Sequence, residues 1–362
     1  MSIFIKELIR QPSRFVSVGG ALTMLVVLLV VLGGFLDGLE LNQTGPYRAH
    51  AGRLLVFSED SELLIQRSEV DAAQAEQLAA ADGVAAVGAL NLIDSTAEDG
   101  RGEIVDIVLF GYDLPTDVIP PPPADGGAII DEALADRNDV GVGDTLLLGA
   151  TSEPVVVSGI VGDLSQGSPT VWLSTERWRE IVQVANPAAL PREGTNEALV
   201  VEPATGADLG ALAQQLAELG GVSVVTTDEA IDALPVVQQQ SSTFQGIIGV
   251  TFVVTLMVVA LFFTLITLER VDLYAVLKAL GARTGNLMAG ISAQAVGVSL
   301  VALVLGLGLS VAFVALLPAE LPVRLVPARL MQTAGGVLLS ALLGSLFTLR
   351  RVLRIDPAEA IG

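Results

Sequence analysis

The chain has one histidine, His50, and no cysteine, so neither a His/Cys zinc site nor a thiol nucleophile can be assembled from it. A Ser-His-Asp arrangement would have to use His50, which follows the first apolar run and reads as a solvated loop residue. Lys6 and Lys278 are the two lysines, and neither lies in the G-x-x-x-x-G-K-[ST] pattern whose backbone amides and lysine cradle phosphates. The pairs Glu59/Asp60, Glu98/Asp99 and Asp131/Glu132 offer oxygen ligands for calcium, but no D-x-D-x-D-G spacing organises them. They read as solvated loop carboxylates. The expectation is a non-enzymatic chain with no catalytic residue, no metal ligand set and no cofactor of its own.

The elements that carry these residues divide sharply by polarity. The chain is 52% hydrophobic yet has a formal charge of −21, which requires that apolar and acidic residues be segregated. Four runs free of charge, 16–36, 246–268, 287–319 and 330–349, each cover the roughly 20 helical residues needed to cross about 30 Å of hydrocarbon. The first follows the basic leader Lys6, Arg10 and Arg14, as a signal peptide would. It exceeds the usual apolar segment of such peptides, and Phe35-Leu36-Asp37-Gly38 has no small-x-small cleavage pattern, so it reads as a retained helix. The third run is long and rich in Gly and Ala, which suits close helix contacts but leaves no room for two spans.

Basic residues fix the expected orientation. Lys6, Arg10 and Arg14 in the leader, Arg270, Lys278 and Arg283 between the second and third runs, and Arg350, Arg351 and Arg354 in the tail fall on one side of a four-span protein. Positive residues concentrate in cytoplasmic loops, so both termini are expected in the cytoplasm of a multi-pass cell-membrane protein. The segment from Gly38 to Thr243 then lies outside. It carries 33 acidic residues against eight arginines and no lysine, a surface that would repel nucleic acid and anionic lipid headgroups. Membrane lipid is a partner through the spans alone, and nucleic acid is not a partner.

Within that outer segment the pattern is mixed α/β. A strand at 53–57, a helix capped by Ser68 and stopped at Gly83, and a strand at 84–90 form one βαβ-like unit. Residues 199–201, 207–219 and 222–225 repeat the sequence of strand, helix and strand near the end. Short β-rich stretches at 104–110, 145–148, 155–161 and 171–173 lie between, together with the stiff connector Pro120 to Pro123. The expected fold class is an α-helical membrane protein with four transmembrane helices in a 1+3 arrangement. A large extracytoplasmic α/β domain is inserted between helices 1 and 2. The expected divisions are 1–37, 38–243, 244–349 and a cytoplasmic tail 350–362.

The cytoplasmic link reads Glu269-Arg270-Val271-Asp272-Leu273-Tyr274-Ala275-Val276-Leu277-Lys278-Ala279-Leu280-Gly281-Ala282-Arg283. Leu273, Val276, Leu277 and Leu280 recur at helical spacing, and Gly281 is a natural stop. By its amphipathicity the helix either docks on a protein or rests on lipid.

This phrase resembles the E-R-x-x-E-x-x-x-L-[RK]-A-x-G-A signature of FtsX-like permeases, the group containing MacB, LolC/LolE and DevC-type exporters. Leu273 stands where that signature has its second glutamate. The ending Arg354-Ile355-Asp356-Pro357-Ala358-Glu359-Ala360 resembles the family's D-P-A-x-A-[LI] terminus. Asn138-Asp139-Val140-Gly141-Val142-Gly143-Asp144-Thr145-Leu146-Leu147-Leu148, with the following Val155-Val156-Val157-Ser158-Gly159-Ile160, is similar to the core of a MacB-type periplasmic domain.

The resemblance implies a permease subunit that binds a separate ABC ATPase on the cytoplasmic face and pairs with a second copy or a paralogue. ATP would be bound by that partner. A coupling helix over 269–285 would present Glu269, Leu273, Tyr274, Val276, Leu277, Lys278, Leu280, Gly281, Ala282 and Arg283 to the ATPase. The implied function is ATP-driven movement of the outer domain for export or extrusion, with a membrane-fusion adaptor as a possible further partner. The alternatives are a transmitter of the FtsX type, which activates an extracytoplasmic cell-wall hydrolase, and a structural or sensory membrane protein.

Overall fold

The computed structural model describes residues 12–268, Val276, 284–318 and 321–353. The chain divides into two compact units, residues 40–239 and the remainder.

The second of these is helical. Three described helices hold segments long and apolar enough to cross a membrane: Gly19–Arg48, Pro235–Phe262 and Ser292–Val314. They belong to helices α1 (Pro12–Arg48), α7 (Pro235–Leu268) and α8 (Thr284–Val314), and a fourth long helix, α9, covers Pro327–Leu353. Val26, Leu29 and Val30 of α1 meet Leu303 of α8 and Val337 of α9 in one buried cluster, with Phe252 of α7 packed against it. Lipid tails are as apolar as these side chains, so close approach and hydrogen bonds must hold the helices together. Gly306 lets α8 reach Val26, where a Cβ would come within 2.5 Å, and Gly336 makes the same room for the Phe252 ring. Ser292 and Ser345 join α8 to α9 at 3.1 Å.

Residues 40–239 are built on a nine-stranded sheet of order β11-β1-β10-β3-β4-β8-β5-β7-β6, with a separate two-stranded ladder of β2 (Val70–Asp71) and β9 (Thr195–Asn196). The strands at one end are β1 (Leu54–Ser58), β3 (Val84–Glu98), β10 (Ala198–Pro203) and β11 (Val222–Thr226). Helices α2 (Ala72–Ala79) and α5 (Leu209–Ala217) connect β1 to β3 and β10 to β11. Because β10 lies between β1 and β3, and β1 between β10 and β11, the two βαβ units interleave as split units. Leu54, Val56, Leu199 and Val201 face these helices, and Leu55, Phe57 and Val200 face a second core on the other side, as the two-residue period of a strand requires.

The insertion between the units comprises β4 (Ile104–Tyr112), β5 (Ala128–Asp131), β6 (Thr145–Leu148), β7 (Glu153–Val161) and β8 (Thr170–Ser174), with helices α3 (Glu132–Asn138) and α4 (Thr175–Ala185). Strand β3 is 15 residues long and serves both halves, pairing with β10 through Val84–Leu90 and with β4 through Leu90–Glu98. Its last residues also pair with β6, through Ala97↔Leu148 and Glu98↔Leu147, so this half of the sheet closes on itself and leaves no free edge there.

Local details depart from the sequence expectations. The cap of α2 is Asp71, in a reciprocal capping box with Gln74, whereas Ser68 is buried and its hydroxyl accepts the Ser58 N–H. Helix α4, with its cap Ser174, and helix α6 (Thr227–Ala233) were not anticipated.

Candidate functional site

Of the expected coupling-helix residues, Glu269, Leu273, Tyr274, Leu277, Lys278, Leu280, Gly281, Ala282 and Arg283 lie outside the described residues. Val276 is described; it is helical and 48% exposed. The flanking helices end at Leu268 and resume at Thr284. The C-terminal motif likewise lies outside the described residues.

What the structure does show is how the two ends of the α/β unit, residues 40–50 and 227–239, are held to its own sheet. Pro46 has no N–H and so leaves the Asn42 carbonyl without its helical partner. The Gly167 N–H fills that place at 2.8 Å. One residue earlier, the Gly45 N–H donates to the Ser165 carbonyl at 3.2 Å, and the Leu41 carbonyl accepts from the Arg48 guanidinium at 3.0 Å. Arg48 also reaches the Asp163 carbonyl. Gly45 is required, because a Cβ there would lie 2.5 Å from the carbonyl carbon of Leu164. At the other end, Thr227 donates its hydroxyl to the His50 carbonyl at 3.0 Å. Tyr47 and Ala49 share one core with Ala230, Ile231, Leu234 and Val237, and that core continues into Leu55, Phe57 and Trp172 of the sheet. The incoming and outgoing segments are therefore fused to the same sheet face.

Several polar residues take roles that their sequence context concealed. His50 is buried rather than solvated, with Nδ1 2.8 Å from the Pro46 carbonyl, and burial lowers its pKa to about 4. It is neutral and its ring lies 6.3 Å from that of Trp172. Asp99 is also buried: it accepts N–H bonds from Arg101 and Glu103 and a bond from Asn138, and these bonds, led by that of Glu103, hold its pKa below the ordinary value. Asp131 caps α3 and accepts from the Ser165 hydroxyl; burial raises its pKa. Asp131 is thus a helix cap and Asp99 holds the turn between β3 and β4, so neither is a solvated loop group. Glu59 stays exposed at the start of a short turn of helix. Among the described residues no three His, Asp or Glu side chains gather as a metal site.

The least expected polar group is Glu197. It is 9% exposed, its Oε2 accepts the Leu92 N–H at 2.6 Å, and burial raises its pKa to about 7 against the weaker pull of Arg179. Asn91, fully buried, accepts the Glu197 N–H and donates to Asn196, which also receives Arg179 of α4. This polar seam crosses β3 where it passes from one half of the sheet to the other.

Taken together, the apolar helices and the α/β unit that follows the first of them define a membrane protein with a large extracytoplasmic domain. The chain belongs to the FtsX-like permeases with a MacB-like periplasmic core domain: the MacB-like periplasmic core model matches residues 20–219, and the model for the C-terminal part of FtsX-like permeases matches 246–357. These are ABC transporter permeases, a family of non-catalytic membrane subunits.

Among curated relatives, an uncharacterized ABC transporter permease of Mycobacterium tuberculosis is 28% identical over 223 residues, which is 61% of this chain and 58% of the relative. A permease named for hemin transport, HrtB of Staphylococcus haemolyticus, is 26% identical over 149 residues, covering 41% of this chain and 42% of its own. The matched region thus spans about half the length of these relatives. Among solved structures, the periplasmic region of MacB from Actinobacillus actinomycetemcomitans aligns with a TM-score of 0.37 at 12% identity, over 50% of this chain and 92% of that one. The extracellular domain of the transporter YknZ from Gram-positive bacteria aligns at 0.33 with 17% identity, over 48% and 98%.

Proposed function

We propose that this chain is the membrane subunit of an exporter in which a separate ATPase, docked on the 269–285 helix, drives movement of the outer domain. The observation that carries this reading is the permease match across 246–357, which encloses the amphipathic link. In this reading helix α9 is a fourth span and the divisions fall at 37/38, 243/244 and 349/350. Both termini are cytoplasmic, and a second copy or paralogue completes the transporter. The match over 20–219 supports export, with a membrane-fusion adaptor as an outer partner, over activation of a cell-wall hydrolase.

Leu277→Asp places a charge on the apolar stripe of the link, a large cost in a groove that cannot solvate it. The ATPase should fail to copurify, or lose its permease-stimulated activity, while the membrane subunit still inserts; Arg283→Ala, at the rim, should retain both. Full binding and stimulation with Leu277→Asp would assign the helix to the lipid surface instead.

Orientation is tested in a chain that has no native cysteine. An impermeant maleimide applied to intact cells should label Thr151→Cys, an exposed position, and should not label Ala279→Cys. The reverse pattern would rule out the proposed membrane arrangement.

A further inference from the structure

The helical unit contains an ion pair at a place where charge is costly. Asp37, 7% exposed near the end of the first apolar run, accepts two bonds from the Arg329 guanidinium on one oxygen, Oδ1, at 2.9 Å from Nε and 2.6 Å from Nη2, while its Oδ2 is buried without a partner among the described residues. Arg329 stands in the first turn of α9. Beside the pair, α1 presents glycines to the segment that precedes α9. A Cβ on Gly38 would lie 1.7 Å from the Pro322 carbonyl oxygen, and one on Gly34 would lie 3.0 Å from that of Arg324. The Gly34 carbonyl accepts the Arg324 N–H at 2.9 Å. Gly33 leaves space for the stem of Arg329, which passes 3.4 Å from where a Cβ would be. Residues 33 and 37, and likewise 34 and 38, are one helical turn apart, so a single stripe of α1 supplies the bed for the segment and the anion for the guanidinium.

We propose that Asp37 and Arg329 form a latch that makes α1 and α9 move as one body, and that they are positioning residues for force transfer to the outer domain. The guanidinium's fork of two donors, Nε and Nη2, converges on one charged oxygen and so fixes direction as well as distance, which a single contact between apolar helices does not. The close backbone approach at Gly34 and Gly38 prevents sliding between the two elements, since any shift would drive carbonyls into the helix. Helix α1 continues without a break to Arg48, whose last turns carry the bonds to residues 163–167. A displacement of α9 is thereby imposed on the helix that enters the outer domain. The proposal rests on the ATPase-driven reading above.

The test uses the full chain with its ATPase and a fluorophore on Thr151→Cys as reporter of the outer domain. If the ATPase does not bind the parent chain, or ATP produces no signal in it, the transport reading fails before the latch is reached. With both present, Asp37→Asn and Arg329→Gln should keep ATPase copurification and lower the ATP-dependent signal about tenfold, within the usual range of coupling between distant sites. The exchange of charges, Asp37→Arg with Arg329→Asp, should recover most of it. Arg329→Lys, which keeps the charge but not the fork, should assemble fully and still lose signal. Undiminished signal in the single variants, or an exchanged pair that inserts without recovering it, would overturn the latch. Loss of both single variants from the membrane with no recovery in the exchanged pair would also overturn it, by making the pair a folding element.

Discussion

Replacing Glu197 with glutamine should stabilise the outer domain by about 3 kcal/mol near pH 8 and leave it almost unchanged in acid. Glu197 is buried and its folded pKa is raised from 4.5 to about 7, so between those values the folded state holds a proton that the unfolded state has released. Its stabilising contribution is therefore complete below the unfolded value and is lost as pH rises through about 7. Glutamine keeps an oxygen for the Leu92 N–H and never ionises.

His50 slopes the other way. Its folded pKa is lowered from 6.5 to about 4, so stability is present above the unfolded value and falls as pH drops through that window. In the parent chain the slopes of Glu197 and His50 oppose one another between about pH 4.5 and 6.5; Glu197→Gln removes the first of them, so stability climbs more steeply with pH across that window than in the parent. Both tryptophans, Trp172 and Trp178, are fully buried in this domain, so their fluorescence during denaturation reports on it within the full chain. Superimposable pH profiles for parent and variant would show that Glu197 is not held in a desolvated seam.

The contrast between Glu197 and the link explains what could be read from the chain alone. Apolar runs, strands such as 145–148 and the two βαβ units follow from hydropathy, period and turn residues, which are local quantities, whereas the interleaving of those units depends on pairing between strands far apart in sequence. The permease signature was local too, so the family was legible although most of the segment that carries the signature lies outside the described residues. By contrast, Glu197, Asp99 and Asp131 look like any loop carboxylate until strands distant in sequence enclose them. Helix α4 is only 11 residues long and buries three apolar side chains, Trp178, Ile181 and Val182, so although these fall at helical spacing the stretch is too short to stand out among the strands around it. Trp178 finds its place only because Gly111, far away in sequence, leaves room for the indole. One signal was available and unused: in a four-span topology Asp37 and Arg329 terminate apolar runs at the same membrane surface with opposite charge.

The strongest backbone test is Gly45→Ala, which should destabilise the outer domain by about 2–4 kcal/mol, combining overpacking with the loss of one or more backbone hydrogen bonds. The added methyl would meet main-chain atoms alone, with the Leu164 carbonyl carbon at 2.5 Å and the Asp163 oxygen at 2.7 Å, so no rotamer change relieves it. Residues 163–167 must move away from the helix, and with them go the bonds from Gly45 to Ser165 and from Gly167 to Asn42. The disturbance has a defined route to an optical signal. The Leu164 carbonyl accepts the Thr170 hydroxyl, and that hydroxyl in turn accepts the Trp172 indole N–H at 2.8 Å. Gly45→Ala should therefore red-shift tryptophan emission in the folded state and speed amide exchange at Gly167, whose bond fills the gap left by Pro46. Gly100→Ala, with open space around its Cβ and no left-handed backbone, is the matched control and should leave both unchanged. If Gly45→Ala keeps the parent's emission, exchange rate and stability, the helix end is not clamped by 163–167, and force arriving along α1 would have to enter the sheet through Tyr47 and Ala49 alone.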